Sequence, residues 1–209
     1  MIRIAVLASG HGSNLEALIG SVHGQEAAIV CVAGDRPQAR ALALAAGSGI
    51  PAQAFPREDF PDRDTRDEAM AAWLAAHGAE AVVAAGYMAI LSPSFVAAFR
   101  DRIINVHPSL LPAFPGLDAV GQAVAYGVRV FGVTVHLVDD GVDTGPILLQ
   151  DSIRIDGAPT AGEVLAALRP LEHRLLPEAV RLLAAGRVGR DPANPRRLLV
   201  AGGDGTSRR

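Results

Sequence analysis

The chain contains no lysine: all 19 of its basic residues are arginine. A Schiff-base amine, a pyridoxal phosphate anchor and the lysine of a Walker loop are therefore excluded. The single cysteine, Cys31, rules out an internal disulfide and a cysteine-rich zinc site. Aromatic residues make up only 4% of the 209 residues. A formal net charge of −3 argues against non-specific binding to nucleic acid or to an anionic membrane. No apolar run approaches the ~20 residues of a membrane-spanning helix. Met1-Ile2-Arg3 leads straight into an apolar strand rather than a signal segment, so a cytoplasmic location is expected. No His/Asp/Glu grouping has a spacing such as His-x-x-x-His, and no Gly-x-Ser-x-Gly elbow occurs. Neither a bound metal nor a hydrolase of that elbow type is expected.

What is present is a core-forming composition: 50% of the residues are hydrophobic, and the length fits one domain. Short Val/Ile-rich runs at 2–7, 29–33, 51–55, 81–85 and 103–106 alternate with Ala-rich helical segments, the clearest at 63–77. That alternation predicts an α/β fold with a mainly parallel sheet flanked by helices. Two further strand-like runs, 130–138 and 147–155, leave no room between them for a crossover helix. They predict an antiparallel portion near the C-terminal end. A last helix is expected over about 161–185. From residue 189 the composition turns to Arg, Pro, Gly and Asp, which reads as a flexible tail behind a domain of residues 1–188.

In an open parallel sheet, ligands bind beyond the carboxyl ends of the strands. The loop Ala8–Asn14 carries Gly10 and Gly12 and opens a helix, whose unpaired N–H groups and positive dipole end suit an anion. Gly10-x-Gly12-x-x-Leu15 starts a dinucleotide fingerprint but places Leu where the third glycine belongs. With Asp35 as a ribose acid, NAD stays open; a single phosphate fits the incomplete fingerprint better. Asn105 and His107 lie two apart on a strand end and so share a face, with Val106 turned to the core. An amide beside an imidazole can bind and protonate a developing oxyanion. Asp139-Asp140-Gly141-Val142-Asp143 brings three carboxylates into one loop without the ladder of a calcium site. An acid held beside an imidazole favours the charged ring, which suits a general acid. A plain polar turn remains the alternative. His136 shares a strand face with Thr134 and reads as structural or as a support behind the site.

Ser9-Gly10-His11-Gly12-Ser13-Asn14-Leu15, Gly86-Tyr87-Met88-Ala89-Ile90-Leu91-Ser92, Asn105-Val106-His107-Pro108-Ser109-Leu110-Leu111-Pro112 and Asp143-Thr144-Gly145-Pro146-Ile147 occur in that order. The chain resembles, from Met1 to about Val188, the phosphoribosylglycinamide formyltransferases of purine biosynthesis. The resemblance implies a Rossmann-like formyltransferase fold. It implies transfer of a formyl group from 10-formyltetrahydrofolate, as co-substrate, to the amine of glycinamide ribonucleotide, with no metal. Asn105, His107 and Asp143 would be catalytic. Gly12, Ser13, Asn14, Arg169 and Glu172 would hold the ribonucleotide. Met88, Ala89, Ile90 and Leu91, with Asn105 and the loop Asp139, Asp140, Gly141, Val142 and Asp143, would enclose the folate, and Arg63 would face its tail. Partners would be these small molecules only, with neither nucleic acid nor membrane; a homodimer stays open. Two departures stand out: Ala89 replaces a common arginine, and Leu117–Gly121 lacks the family's histidine. A formyltetrahydrofolate enzyme with a drifted substrate, a hydrolase included, and a nucleotide-binding module without chemistry are the alternatives.

Overall fold

The computed structural model describes residues 1–201. Five strands come first, β1 (Ile2–Leu7), β2 (Ala27–Gly34), β3 (Ala52–Ala54), β4 (Ala81–Ala84) and β5 (Ile103–His107). Between them run α1 (Ser13–Ser21), α2 (Arg40–Gly47), α3 (Arg63–Ala76) and α4 (Pro93–Ala98). Then follow α5 (Ala119–Tyr126), β6 (Val130–Leu137), β7 (Ile147–Arg154), α6 (Ala161–Ala184), β8 (Val188–Asp191) and β9 (Asn194–Val200). One sheet runs in the order β3-β2-β1-β4-β5-β6-β7-β9-β8. The first five strands are parallel, while β6 pairs antiparallel with both β5 and β7. The α/β architecture and its antiparallel C-terminal portion are those expected from the alternation of runs.

The sheet is covered on both faces, which is why its strands read as unbroken apolar runs. In β1, Ile4 and Val6 pack with α1, α2 and α6 on one side, and Ala5 and Leu7 with α3 and α4 on the other. All four are fully buried. Ser92 caps α4 by accepting from the Phe95 N–H, with Pro93 in the first turn. Thr160 and Glu163 form a reciprocal capping box at α6. Among the described residues, no helix is long and apolar enough to cross a membrane.

Two elements differ from the expectation. Helix α5 is not among the expected elements: it starts from Asp118 in a left-handed conformation without a side-chain cap bond and is short, with Gly121 weakening its interior. The segment that reads as a flexible tail from residue 189 instead forms the β8–β9 hairpin up to Val200. Arg190 pairs with Asp101 and Arg197 with Asp191, so the arginines that suggest a solvated tail anchor the hairpin. Residues 202–209 of that expected tail lie outside the described residues.

Candidate active site

The strand order reverses direction between β1 and β4, a switch point of the kind beyond which open α/β sheets bind ligands. Ser9 spans it: its N–H donates to Gly86 O (3.1 Å), and its hydroxyl accepts from Met88 N–H (2.8 Å). The loop before α1 is thereby fixed against the segment after β4.

Gly12 sits at the N-cap of α1 with φ +81°, and no side chain caps the helix. A Cβ there would lie 2.9 Å from Ala41 Cα, so α2 packs where only glycine leaves room. The N–H groups of Ser13, Asn14 and Leu15 find no acceptor among the described residues, as an anion site requires. Asn14 is buried, and its amide donates to Glu172 Oε2 (3.0 Å) while its own Oδ1 is left without a partner. Burial pushes the Glu172 carboxyl above its usual range, with the Asn14 bond and the Arg169 charge working against that shift. The structure therefore brings Gly12, Ser13, Asn14 and Glu172 together, with Arg169 exposed one turn earlier on α6.

A raised folded-state pKa favours folding at low pH, and that contribution is lost as pH rises through the raised value. Glu172→Gln keeps an acceptor for Asn14 and removes the buried charge. It is expected to raise Tm at pH 8, with the gain vanishing as pH drops to the ordinary Glu range near about 4. Thermal melts across pH check this; a variant that is less stable at pH 8 would contradict it.

Asp143 occupies the middle of the site with φ 53°, a conformation Asp and Asn tolerate better than most residues. Its Oδ2 accepts from Gly116 N–H (2.8 Å) and lies 3.3 Å from His107 Nδ1. Its Oδ1 accepts from Asn105 Nδ2 (3.3 Å) and lies 3.4 Å from His136 Nε2. Burial raises this carboxyl's pKa, but the His136 bond, the Gly116 N–H and the charges of both histidines outweigh it and hold the group below its usual range. His107 Nε2 faces Phe114 O at 2.9 Å. Both of its ring nitrogens thus face oxygen atoms.

His136 belongs to this site, which strand alternation alone did not show. Antiparallel pairing sets it directly opposite Asn105, and the β6–β7 register slips by one residue between Val135 and His136. Such slips re-aim side chains beside functional sites. Asn105 Nδ2 lies 3.2 Å from His136 Nε2. Thr134 is a second residue missed: it donates to Ser109 O (2.7 Å) and accepts from Leu111 N–H (3.1 Å), fixing the loop that carries Phe114 O to His107.

The segment Met88–Leu91 is neither helix nor strand, and Met88 and Ile90 are 53% and 61% exposed. Backbone N–H and C=O groups of Ala89 and Leu91 have no protein partner among the described residues. In the loop after β6, Asp139 accepts from Gly141 N–H (3.1 Å) and Thr144 Oγ1 (2.6 Å), closing the loop through exposed Asp140 and Val142. Arg63 opens α3 with its guanidinium 3.5 Å from Asp64 and makes no hydrogen bond to Met88–Leu91. Among the described residues no group of three His, Cys, Asp or Glu side chains is arranged to hold a metal ion.

The Asn105–His107–Asp143 cluster, with His107 buried and its two partners half-buried, lies on a fold whose helix α1 starts with free N–H groups and whose Met88–Leu91 segment leaves backbone groups free. Residues 2–180 match the formyl transferase family, and the chain belongs to it. Among its relatives is the phosphoribosylglycinamide formyltransferase of Bacillus subtilis, 40% identical over 188 residues that cover 88% of this chain and 95% of that protein. The Mycobacterium tuberculosis enzyme of the same name is 42% identical over 201 residues, covering 95% of this chain and 94% of its own. The crystal structure of glycinamide ribonucleotide transformylase 1 from Symbiobacterium toebii matches with a TM-score of 0.91 at 40% identity, covering 96% of this chain and 94% of that one.

Proposed function

We propose that the chain transfers a formyl group from 10-formyltetrahydrofolate to the amine of phosphoribosylglycinamide, with the two substrates meeting over Asn105, His107 and Asp143. The observation that carries this reading is the Asp143 carboxylate. Its two oxygens reach His107 and Asn105 at 3.3 Å.

The ribonucleotide phosphate takes the free N–H groups at Ser13 and Asn14, with Glu172 and Arg169 facing the rest of that substrate. The folate ring lies on Met88–Leu91 and reads the free backbone groups of Ala89 and Leu91, while Asp139–Asp143 closes over it and Arg63 faces its tail. As the amine nitrogen bonds to the formyl carbon, a tetrahedral oxyanion forms. Asn105 donates to it by exchanging its long contact with His136 for the substrate oxygen. His107 supplies a proton to the leaving folate nitrogen, and one proton leaves the attacking nitrogen through solvent ordered by Asp143. The carbon–nitrogen bond to the folate then breaks, giving formylglycinamide ribonucleotide and tetrahydrofolate. Oxyanion donors are worth ~3–4 kcal/mol in such transition states, and juxtaposing two substrates ~7–11 kcal/mol.

Both partners in this reading are small molecules and the reaction is placed in the cytoplasm. A homodimer is compatible with it but not required, since every named group comes from one chain. Incubation with 10-formyl-5,8-dideazafolate and glycinamide ribonucleotide, followed by absorbance, is expected to release deformylated folate only when both are present. Release without the ribonucleotide would make the chain a hydrolase instead.

A further inference from the structure

We propose that Arg66 and Asp67 are positioning residues for the donor: their buried ion pair braces Met88–Leu91 in the shape that leaves its alternate backbone groups free to read the folate ring. This rests on the reading above that the folate lies on that segment.

Two charged residues in the first half of an amphipathic helix would ordinarily face solvent. Here Arg66 is 5% exposed and Asp67 is fully buried. Arg66 Nε donates to Asp67 Oδ1 (2.8 Å), with Nη2 at 2.7 Å from the same oxygen. Replacing a buried ion pair with apolar side chains of similar volume is often neutral or stabilising, so stability alone does not account for this one. What it does hold is specific. Asp67 Oδ2 accepts from Ser92 N–H (2.6 Å), and Arg66 Nη2 reaches Ile90 O with a longer bond (3.4 Å). At the near end, Ser9 accepts from Met88 N–H (2.8 Å).

The ties therefore fall at residues 88, 90 and 92, and the backbone groups of Ala89 and Leu91 between them find no protein partner. The segment has no helical or strand hydrogen bonding to fix it. Met88 and Ile90 are largely exposed, so side-chain packing holds it mainly at Leu91, which lies against the core on the α3–α4 side. A ligand that hydrogen-bonds to alternate backbone groups needs them held still, and small misplacements are costly. Neither Arg66 nor Asp67 is exposed enough to touch a bound folate, so their effect passes through the backbone they hold.

The test measures both KM values and kcat in Asp67→Asn, which preserves shape and removes the charge, and in Arg66→Met and Arg66→Lys. The expected result is a ~10-fold rise in KM for the folate in Asp67→Asn and Arg66→Met. The ribonucleotide KM should stay within about twofold, and Arg66→Lys should recover part of the loss by keeping the charge. A folded Asp67→Asn or Arg66→Met protein that leaves the folate KM unchanged, or raises both KM values alike, overturns the proposal. If Asp67→Asn does not fold, Arg66→Met against Arg66→Lys decides by the same split. Ile90→Asp, at an exposed position on the ledge, separates the two levels of inference. If it raises the folate KM while the Arg66 and Asp67 variants do not, the brace fails and the donor site stands. If none of these variants moves it, the placement of the folate fails.

Discussion

His107→Ala is expected to lower kcat by ~10²-fold or more with both KM values little changed, and Asn105→Ala and Asp143→Asn to do the same. The three losses should not add, because one carboxylate ties the other two groups together. Steady-state kinetics of the single and triple variants check this; a near-normal kcat in any single variant removes that residue from its role. Asp143 also carries a pH signature. Its folded-state pKa lies below the ordinary Asp value, so the charge adds stability above about pH 3.9 and that contribution is lost as pH falls through the lowered value. Asp143→Asn should therefore be less stable than the parent protein at pH 7, with the deficit closing in acid.

Gly12→Val should affect both binding and folding. A β-branched residue at φ +81° is strained, and its Cβ would press on the backbone of α2 at Ala41. A stability loss of ~1–3 kcal/mol is expected. In the fraction that folds, the side chain would block the close approach of a phosphate to Ser13 and Asn14. KM for the ribonucleotide should rise far more than KM for the folate. Assays well below the measured Tm separate the two effects. An equal rise in both constants would show that the loop serves structure alone.

Much of this architecture is legible in the sequence because the parallel strands are buried on both sides and stand out as apolar runs, and because Ser92-Pro93 announces a helix start. The shared face of Asn105 and His107 follows from strand alternation. Their meeting with Asp143 does not, since it depends on a loop returning across the sheet. For His136, which reads as structural or as a support, the place opposite Asn105 is hidden for a related reason: it is a matter of cross-strand register, which no local pattern encodes. Helix α5 hides behind Gly121, and the hairpin hides in a composition that reads as loose until Arg190 and Arg197 find their acids. Arg66 and Asp67 look like a solvated helix face because nothing local reveals that the chain from Met88 to Ser92 folds over them.

The pairing of β5 with β6 places His136 opposite Asn105 and Thr134 opposite His107, with Val133 and Val135 turned into the core between them. Strand periodicity is two, so a frame shift of one residue exchanges the two sets entirely. A single-residue deletion or insertion inside β6 would present valines to the site and drive a histidine and a threonine into the core. In the connection before β6, Phe114 and Gly116 bond to the site and α5 packs into the core, so a change in length is tolerated best at the exposed Tyr126–Gly127 turn. In a scan of length variants the chain should therefore behave as two regimes, graded loss before Val130 and outright loss within the strand. An insertion library belongs at that turn.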